Sequence, residues 1–166
     1  MNATTTRERE DLLETLGKHR GFLRQTIAGM SDEQIRATPT VSALCLGSIL
    51  QHVTEMEVQW GDFIDRGADA MADMTPEKYA AMWALEADVT ADSLVAAYDA
   101  ACAANDERVR TADLDADHAL PEAPWFTPGA RWSARRVLVH IIAETSQHAG
   151  HADIIRETID GQKTMG

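Results

Sequence analysis

Hydrophobic residues recur at steps of three and four in several long stretches of the chain, which is the period of a helix with one buried face. The clearest stretch runs from Trp132 to Gly161, where Ser133 can cap the first turn and Gly161 can end the last one. We therefore predict one long final helix. Its apolar stripe consists of Val137, Leu138, Ile141, Ile142, Thr145, Ile154 and Ile155.

Three further stretches predict long helices before this one. The first begins near a possible Thr5–Glu8 capping box and ends at Gly29. The second runs from about residue 47 to 66, and the third from about 90 to 111, with a weaker apolar stripe. All three predictions rest on runs of apolar residues that would lie on one helical face.

The connections between these helices differ in length. Ser31 and Gln34 form a second capping-box pattern, which predicts only a short helical connector after the first helix. Thr75 and Pro76 predict a short helix within the long connection that precedes the third helix. Residues 112–131 hold three prolines and predict a loop, in which the aromatic side chains pack against one end of the bundle: Trp125, Phe126 and Trp132.

Four long helices with one long connection predict an all-α protein. The expected fold is a four-helix bundle with up-down-down-up helices and a long crossover between helices two and three. Residues 1–166 form a single domain in this prediction. The second and last helices then run antiparallel.

Composition narrows the class of protein and of partner. The chain has 166 residues, of which 45% are hydrophobic and 25% charged, and its net charge is -12. Nucleic acids and anionic membranes are bound through lysine and arginine, so this charge argues against both partners. Two cysteines are too few for a disulfide scaffold, and the first ten residues lack the apolar run of a secretory signal. We therefore expect a cytoplasmic location.

Polar residues interrupt the apolar character of the last helix in a regular way. His140, Glu144, His148 and His151 are spaced by four, four and three, so they project from nearly one side of the helix. Antiparallel packing would bring His52 of the second helix near the same level. Two imidazoles and one carboxylate on a divalent ion leave a coordination position open, as in catalytic zinc sites. The spacing thus allows a three-ligand metal site that includes His52, Glu144 and His148.

Two stretches carry a resemblance to a known family. LGSILQHVTEMEVQW and WSARRVLVHIIAETSQHAGHADIIRE, together with the order of the helices, resemble the DinB-like metal-binding four-helix bundles. Within them, the chain is similar to the branch that holds mycothiol-dependent S-transferases and the N-terminal domain of mycothiol-dependent maleylpyruvate isomerase. The resemblance implies that His52, Glu144 and His148 bind a divalent metal. Glu144 stands where many DinB-like members have histidine, and this favours the mycothiol branch.

The resemblance implies an enzyme that activates a low-molecular-weight thiol, mycothiol, for attack on an electrophilic small molecule. Zinc suits the ligands best, although nickel, iron or manganese would also accept them. One alternative is a thiol-dependent isomerase or a metal-dependent hydrolase at the same site. The isomerase relatives carry a further C-terminal domain, whereas this chain ends at Gly166, which makes the isomerase less favoured. The other alternative is a non-enzymatic metal-binding stress or interaction protein, and a homodimer is expected in any of these cases.

Several residues near this site have competing interpretations. His151 is a candidate for orienting a reactant or, less favoured, a fourth ligand, whereas His140 would hydrogen-bond to Glu144 or fill core space. Arg135 and Arg136, with Arg131, either bind an anionic group of the thiol or offset the acidic surface. We expect structural roles for the remaining candidates. Cys45, Trp60 and Trp83 are expected in the core. Glu57 and Gln59 are expected either in contact with solvent or beside the metal ligands.

Overall fold

The computed structural model describes residues 3–165, with side chains described from residue 6 onward. Its α-helices are α1 (Ala3–Ile27), α2 (Leu46–Arg66), α3 (Pro76–Ala81), α4 (Ala91–Thr111) and α5 (Ala134–Asp160). Two short strands, β1 (Asp117–Ala119) and β2 (Arg131–Ser133), form an antiparallel pair. Short 3₁₀ turns occupy Gln34–Arg36 and Gly67–Met71.

Side-chain contacts between the long helices show that α2 and α4 run parallel. Asn105 of α4 donates to the Glu57 carbonyl in the middle of α2, and Arg108 pairs with Asp65 near its end. Both helices therefore advance in the same direction past one another.

The first and last helices form the other parallel pair. Arg135, early in α5, pairs with Glu8 early in α1, and Arg156, late in α5, donates to the carbonyl of Thr26. His148 of α5 lies beside His52 of α2, whereas His140, which is closer to the start of α5, lies beside Trp60, which is further along α2. These two helices are therefore antiparallel. The predicted all-α, up-down-down-up bundle with a long crossover is confirmed.

Local capping explains where the helices begin. The Ser133 hydroxyl accepts from the backbone N–H of Arg136 at the start of α5, and Gly161 ends this helix with a φ of 79°. Cys45 caps the start of α2, since its thiol accepts a hydrogen bond from the backbone N–H of Ser48. This cap was not predicted from the sequence. The predicted first helix is present, but its predicted start at a Thr5–Glu8 capping box is wrong, since α1 begins at Ala3 and already includes residue 5.

The loop predicted for residues 112–131 is only partly irregular, because β1 and β2 lie at its two ends. His118 pairs with Trp132 in the ladder, and the Arg131 guanidinium bonds the Asp117 carboxylate. Strands of three residues are too short to show an alternating pattern, so they could not be predicted from the sequence. Their consequence is that Trp132 is held in an extended segment directly before α5.

One hydrophobic core lies between the four long helices, with Leu16, Leu23, Ile49, Val53, Phe63, Tyr98, Ile141 and Ile155 among its members. The prediction of Ile154 as a core residue is wrong, because 60% of it is exposed while Ile155 takes the inward position. Trp125 is 71% exposed, which also contradicts its predicted packing against the bundle end. Among the described residues, no helix has both the length and the apolar character to cross a bilayer.

The prediction of a solvated Glu57 is wrong, because this side chain is fully buried between α1, α2 and α4. The Arg20 guanidinium donates to both carboxylate oxygens at 2.7 Å, and Asn105 donates to one of them at 2.6 Å. Burial alone would lower the pKa of Arg20, but its hydrogen bonds with Glu57 raise it, so the guanidinium stays charged. The partners are distant in sequence, which is why no local pattern predicts this ion pair.

Candidate metal centre

Three side chains from two antiparallel helices converge near the middle of the bundle. His52 projects from the second turn of α2, and Glu144 and His148 project from adjacent turns of α5. Each offers one possible ligand atom, and these atoms lie within 4.8 Å of one another. His148 Nε2 is 3.6 Å from Glu144 Oε2, and the rings of His52 and His148 are 4.8 Å apart. Among residues 3–165, no fourth histidine, cysteine or carboxylate joins this group.

Trp83 covers one side of the group. Its ring stacks on His52 with centroids 3.8 Å apart and an angle of 16°, and it lies 5.6 Å from the His148 ring. The segment after α3 is held in place because Gln51, next to His52, donates to the carbonyls of Met82 and Ala84. A tryptophan predicted as a core residue is thus half-buried and serves as a wall of the site.

The donor set and its unsatisfied atoms fit a divalent ion. Nδ1 of both His52 and His148 is buried and has no hydrogen-bond partner among the described residues. Burying a polar nitrogen without a partner is costly, and a cation is one species that can satisfy a lone pair of His52. His148 faces Glu144 through Nε2, so its unpartnered Nδ1 is not the nitrogen that would share an ion with this carboxylate. Two nitrogens and one carboxylate oxygen suit zinc and neighbouring transition metals better than magnesium or calcium, which prefer oxygen ligands.

The protonation states also suit metal binding. Burial and, to a smaller extent, the neighbouring His148 lower the pKa of His52 to about 4, although Glu144 opposes this change. Contact with His148 holds the pKa of Glu144 below its ordinary value, although burial opposes this. Neutral imidazole and ionised carboxylate are the forms that coordinate metals, and these forms prevail at neutral pH.

The lowered pKa of His52 predicts how the stability of the metal-free protein depends on pH. Between pH 6.5 and 4, His52 takes up a proton in the unfolded chain but stays neutral in the folded one, so acid favours unfolding. The contribution is fully present above pH 6.5, and we expect roughly 2 kcal/mol of it to be lost by pH 4. Denaturant unfolding with a chelator at several pH values measures this loss. A His52→Asn variant should show a shallower dependence, and parallel curves would contradict the assignment.

The other two histidines of α5, His140 and His151, lie at different distances from the group of His52, Glu144 and His148. His140 Nδ1 is 4.0 Å from Glu144 Oε1, and its ring meets Trp60 and Trp132 edge-on at 4.8 and 5.1 Å. Burial lowers the pKa of His140, with Glu144 opposing, so the ring is neutral at pH 7. It therefore both contacts the carboxylate and fills space. His151 is half-buried one turn beyond His148 and is not part of the group.

The arginines proposed as anion sites have partners in the protein. Arg135 pairs with Glu8 and Asp115, which joins α5 to α1 and to the segment before β1. Arg136 is exposed, and its guanidinium lies 4.0 Å from the centroid of the Trp132 ring. The Arg135 contacts favour the interpretation in which arginine offsets acidic neighbours; a role in thiol binding stays a prediction.

Neither cysteine has the properties of a nucleophile. Cys45 is engaged as the α2 cap, which agrees with the expected structural role. Burial, together with the neighbouring Glu57 carboxylate, raises the pKa of Cys102 to about 12. A thiol with such a pKa is protonated at neutral pH, so a thiolate nucleophile would have to come from a separate molecule.

Comparison with known proteins places this geometry in a family. The fold is similar to that of a solved structure described as a conserved protein from Enterococcus faecalis, with a TM-score of 0.70 and 16% identity over 98% of this chain and 99% of that one. A search of curated proteins gave no match. A sequence profile of the mycothiol-S-transferase family matches residues 11–161, which confirms the DinB-like resemblance. The chain therefore belongs to the mycothiol-S-transferase family.

Proposed function

We propose that the protein is a divalent-metal-dependent S-transferase that joins mycothiol to an electrophilic small molecule. The observation that carries this proposal is the convergence of His52, Glu144 and His148 within 4.8 Å, in a chain of this family. The proposed metal is zinc, with nickel, iron and manganese as alternatives. A divalent ion in this position supplies a Lewis acid that lowers the pKa of a bound thiol, so that the thiolate forms at neutral pH.

The chain's own residues provide the geometry for such a reaction. His52 presents a neutral imidazole, His148 presents a second imidazole, and Glu144 presents a charged oxygen. His52, Glu144 and His148 would hold the ion, and three protein donors would leave a coordination position for an exogenous ligand. The ring of Trp83 stacks on His52 and covers one side of the group, and a drier site strengthens every charge interaction within it.

The reaction is a substitution at an electrophilic atom. The thiolate sulfur forms the new bond to carbon, the leaving group departs with the electron pair of the broken bond, and the thiol proton passes to solvent. No oxidant or reductant is required. An electrophile that reacts by addition has no leaving group, and its adduct takes up a proton in place of the one that the thiol lost. The same residues would bind such an electrophile.

A conjugation assay tests the proposal. Zinc-loaded protein is mixed with mycothiol and 1-chloro-2,4-dinitrobenzene, and thioether formation is followed by absorbance, beside reactions without metal and without thiol. We expect product formation above the uncatalysed rate only when both are present. Glutathione and cysteine serve as alternative thiols. Absence of metal-dependent conjugation with all three thiols would contradict the proposal, and substrate breakdown without thiol would favour a hydrolase.

A further inference from the structure

Glu144 lies between two layers of ring contacts that join α2 to α5. In one layer, His52 of α2 meets His148 of α5 with ring centroids 4.8 Å apart. In the other layer, Trp60 of α2 meets His140 of α5 at the same separation. On each helix the two layers are eight residues apart, or about 12 Å along the axis. The carboxylate therefore has one histidine a turn before it and another a turn after it.

The two oxygens of the Glu144 carboxylate face different histidines. Oε2 is 3.6 Å from Nε2 of His148, and these two side chains belong to the group that could share an ion. Oε1 is 4.0 Å from Nδ1 of His140. This distance lies within ion-pair range but is longer than a hydrogen bond, and rotation about the broad terminal torsion of Glu144 can shorten it. His140 is thus the neighbour that can hold the oxygen facing away from His148.

Two tryptophans fix the ring of His140, and we name this pair, Trp60 and Trp132, the aromatic clamp. The His140 ring meets Trp60 at an angle of 78° and Trp132 at 68°, and the two indole rings stack on each other with centroids 4.8 Å apart. Trp60 is only 7% exposed, and Trp132 is paired with His118 in the β1–β2 ladder. A ring packed in this way presents Nδ1 in one direction, which is what an orienting donor needs.

Packing alone does not account for a histidine in the aromatic clamp. The His140 side chain is 21% exposed, so most of a polar ring is withdrawn from water, and an apolar side chain would fill the same space at a lower desolvation cost. On α2, the position halfway between His52 and Trp60 is Met56, which is buried and carries no proton donor. The contact with Glu144 accounts for the imidazole, whereas the need to fill space does not.

We propose that His140 is a positioning residue for the metal centre, which donates from Nδ1 to Oε1 of Glu144 so that this carboxylate binds the ion through Oε2 alone. The inference rests on the proposed function, because it takes His52, Glu144 and His148 as the ligands. A carboxylate that bound through both oxygens would occupy the coordination position that a thiol needs. Ligating carboxylates are commonly held by a hydrogen bond from the protein, and the loss of that partner weakens metal affinity.

Two variants separate the donor from the ring, and both are measured without turnover. His140→Phe keeps a ring in the aromatic clamp but removes the donor, whereas His140→Asn keeps an N–H near the position of Nδ1 in a smaller side chain. We expect the zinc Kd, measured by competition with a chromogenic chelator, to rise about tenfold in His140→Phe and to stay within about threefold in His140→Asn. Cobalt-loaded His140→Phe should absorb visible light more weakly than the cobalt-loaded unmodified protein, because a second carboxylate oxygen raises the coordination number.

His19→Phe is the matched control, since it makes the same exchange of side chains on α1, outside the group of His52, Glu144 and His148. Its zinc affinity and its cobalt spectrum should equal those of the unmodified protein. Three results would each overturn the positioning role: an unchanged zinc affinity in His140→Phe, an equal loss in His140→Asn or in the control, and an unchanged cobalt spectrum in His140→Phe.

The conjugation assay of the unmodified protein separates this inference from the proposed function. Conjugation together with an unchanged zinc affinity in His140→Phe would overturn the positioning role alone. The expected changes in zinc affinity and cobalt spectrum without conjugation would overturn only the proposed function. A failure of the unmodified protein to bind zinc or cobalt would overturn both.

Discussion

Replacing His148 with alanine is expected to lower the rate of metal-dependent thiol conjugation by a factor on the order of a hundred to a thousand. The substitution removes one of the three donors that converge within 4.8 Å. A free thiol with a pKa of about 8.5 is only about 3% ionised at pH 7, so loss of ionisation alone accounts for about thirtyfold. Loss of positioning accounts for the rest. Initial rates with mycothiol and 1-chloro-2,4-dinitrobenzene at fixed zinc concentration measure the change.

The control for this variant is His19→Ala. His19 lies on α1 and packs against Phe22 at 6.1 Å, outside the group of three. We expect it to keep its full conjugation rate. Circular dichroism establishes whether both variants retain their helices. A folded His148→Ala protein with more than half of the original rate would contradict the role given to this imidazole.

The second large effect concerns stability, because the Arg20–Glu57 ion pair is buried between three helices. Arg20 is 2% exposed and Glu57 is fully buried. Replacing Arg20 with alanine would leave the Glu57 carboxylate charged and without its guanidinium partner in a low-dielectric region. We expect the free energy of unfolding to fall by about 3–5 kcal/mol, as measured by denaturant unfolding.

Two further variants separate charge from packing in this prediction. Arg7→Ala removes an exposed pair with Asp11, whose side chains are 73% and 55% exposed, and should cost less than about 0.5 kcal/mol. A double variant, Arg20→Met with Glu57→Met, removes both charges and should recover much of the loss. A loss below about 1 kcal/mol in Arg20→Ala would show that water or a neighbour compensates the carboxylate.

Local chemistry explains which parts of the fold could be predicted from the sequence. The start of α5 at Ser133 and its end at Gly161 depend on bonds between residues a few positions apart, and both predictions are confirmed. The burial of Glu57 depends on Arg20 and Asn105, which lie on other helices. Nothing near Glu57 in the sequence distinguishes a buried carboxylate from a solvated one. The pairing of β1 with β2 had a different reason to escape prediction, because strands of three residues are too short to show an alternating pattern.

The site shows a similar division. The four-residue spacing of Glu144 and His148 is a local signal, whereas their approach to His52 depends on the antiparallel packing of α2 and α5. The antiparallel order followed from the predicted topology and the family resemblance. The position of Trp83 against His52 had no such signal, because it depends on how the long connection folds back.

The most direct test of the metal centre is the metal content of purified variants after loading with zinc and dialysis, determined by mass spectrometry. The variants are His52→Ala, His148→Ala, His151→Ala and His19→Ala beside the unmodified protein. We expect about one zinc ion per chain in the unmodified protein, in His151→Ala and in His19→Ala. We expect almost none in His52→Ala and His148→Ala. Full occupancy in the last two variants, or an equal loss in His151→Ala, would contradict a centre formed by His52, Glu144 and His148.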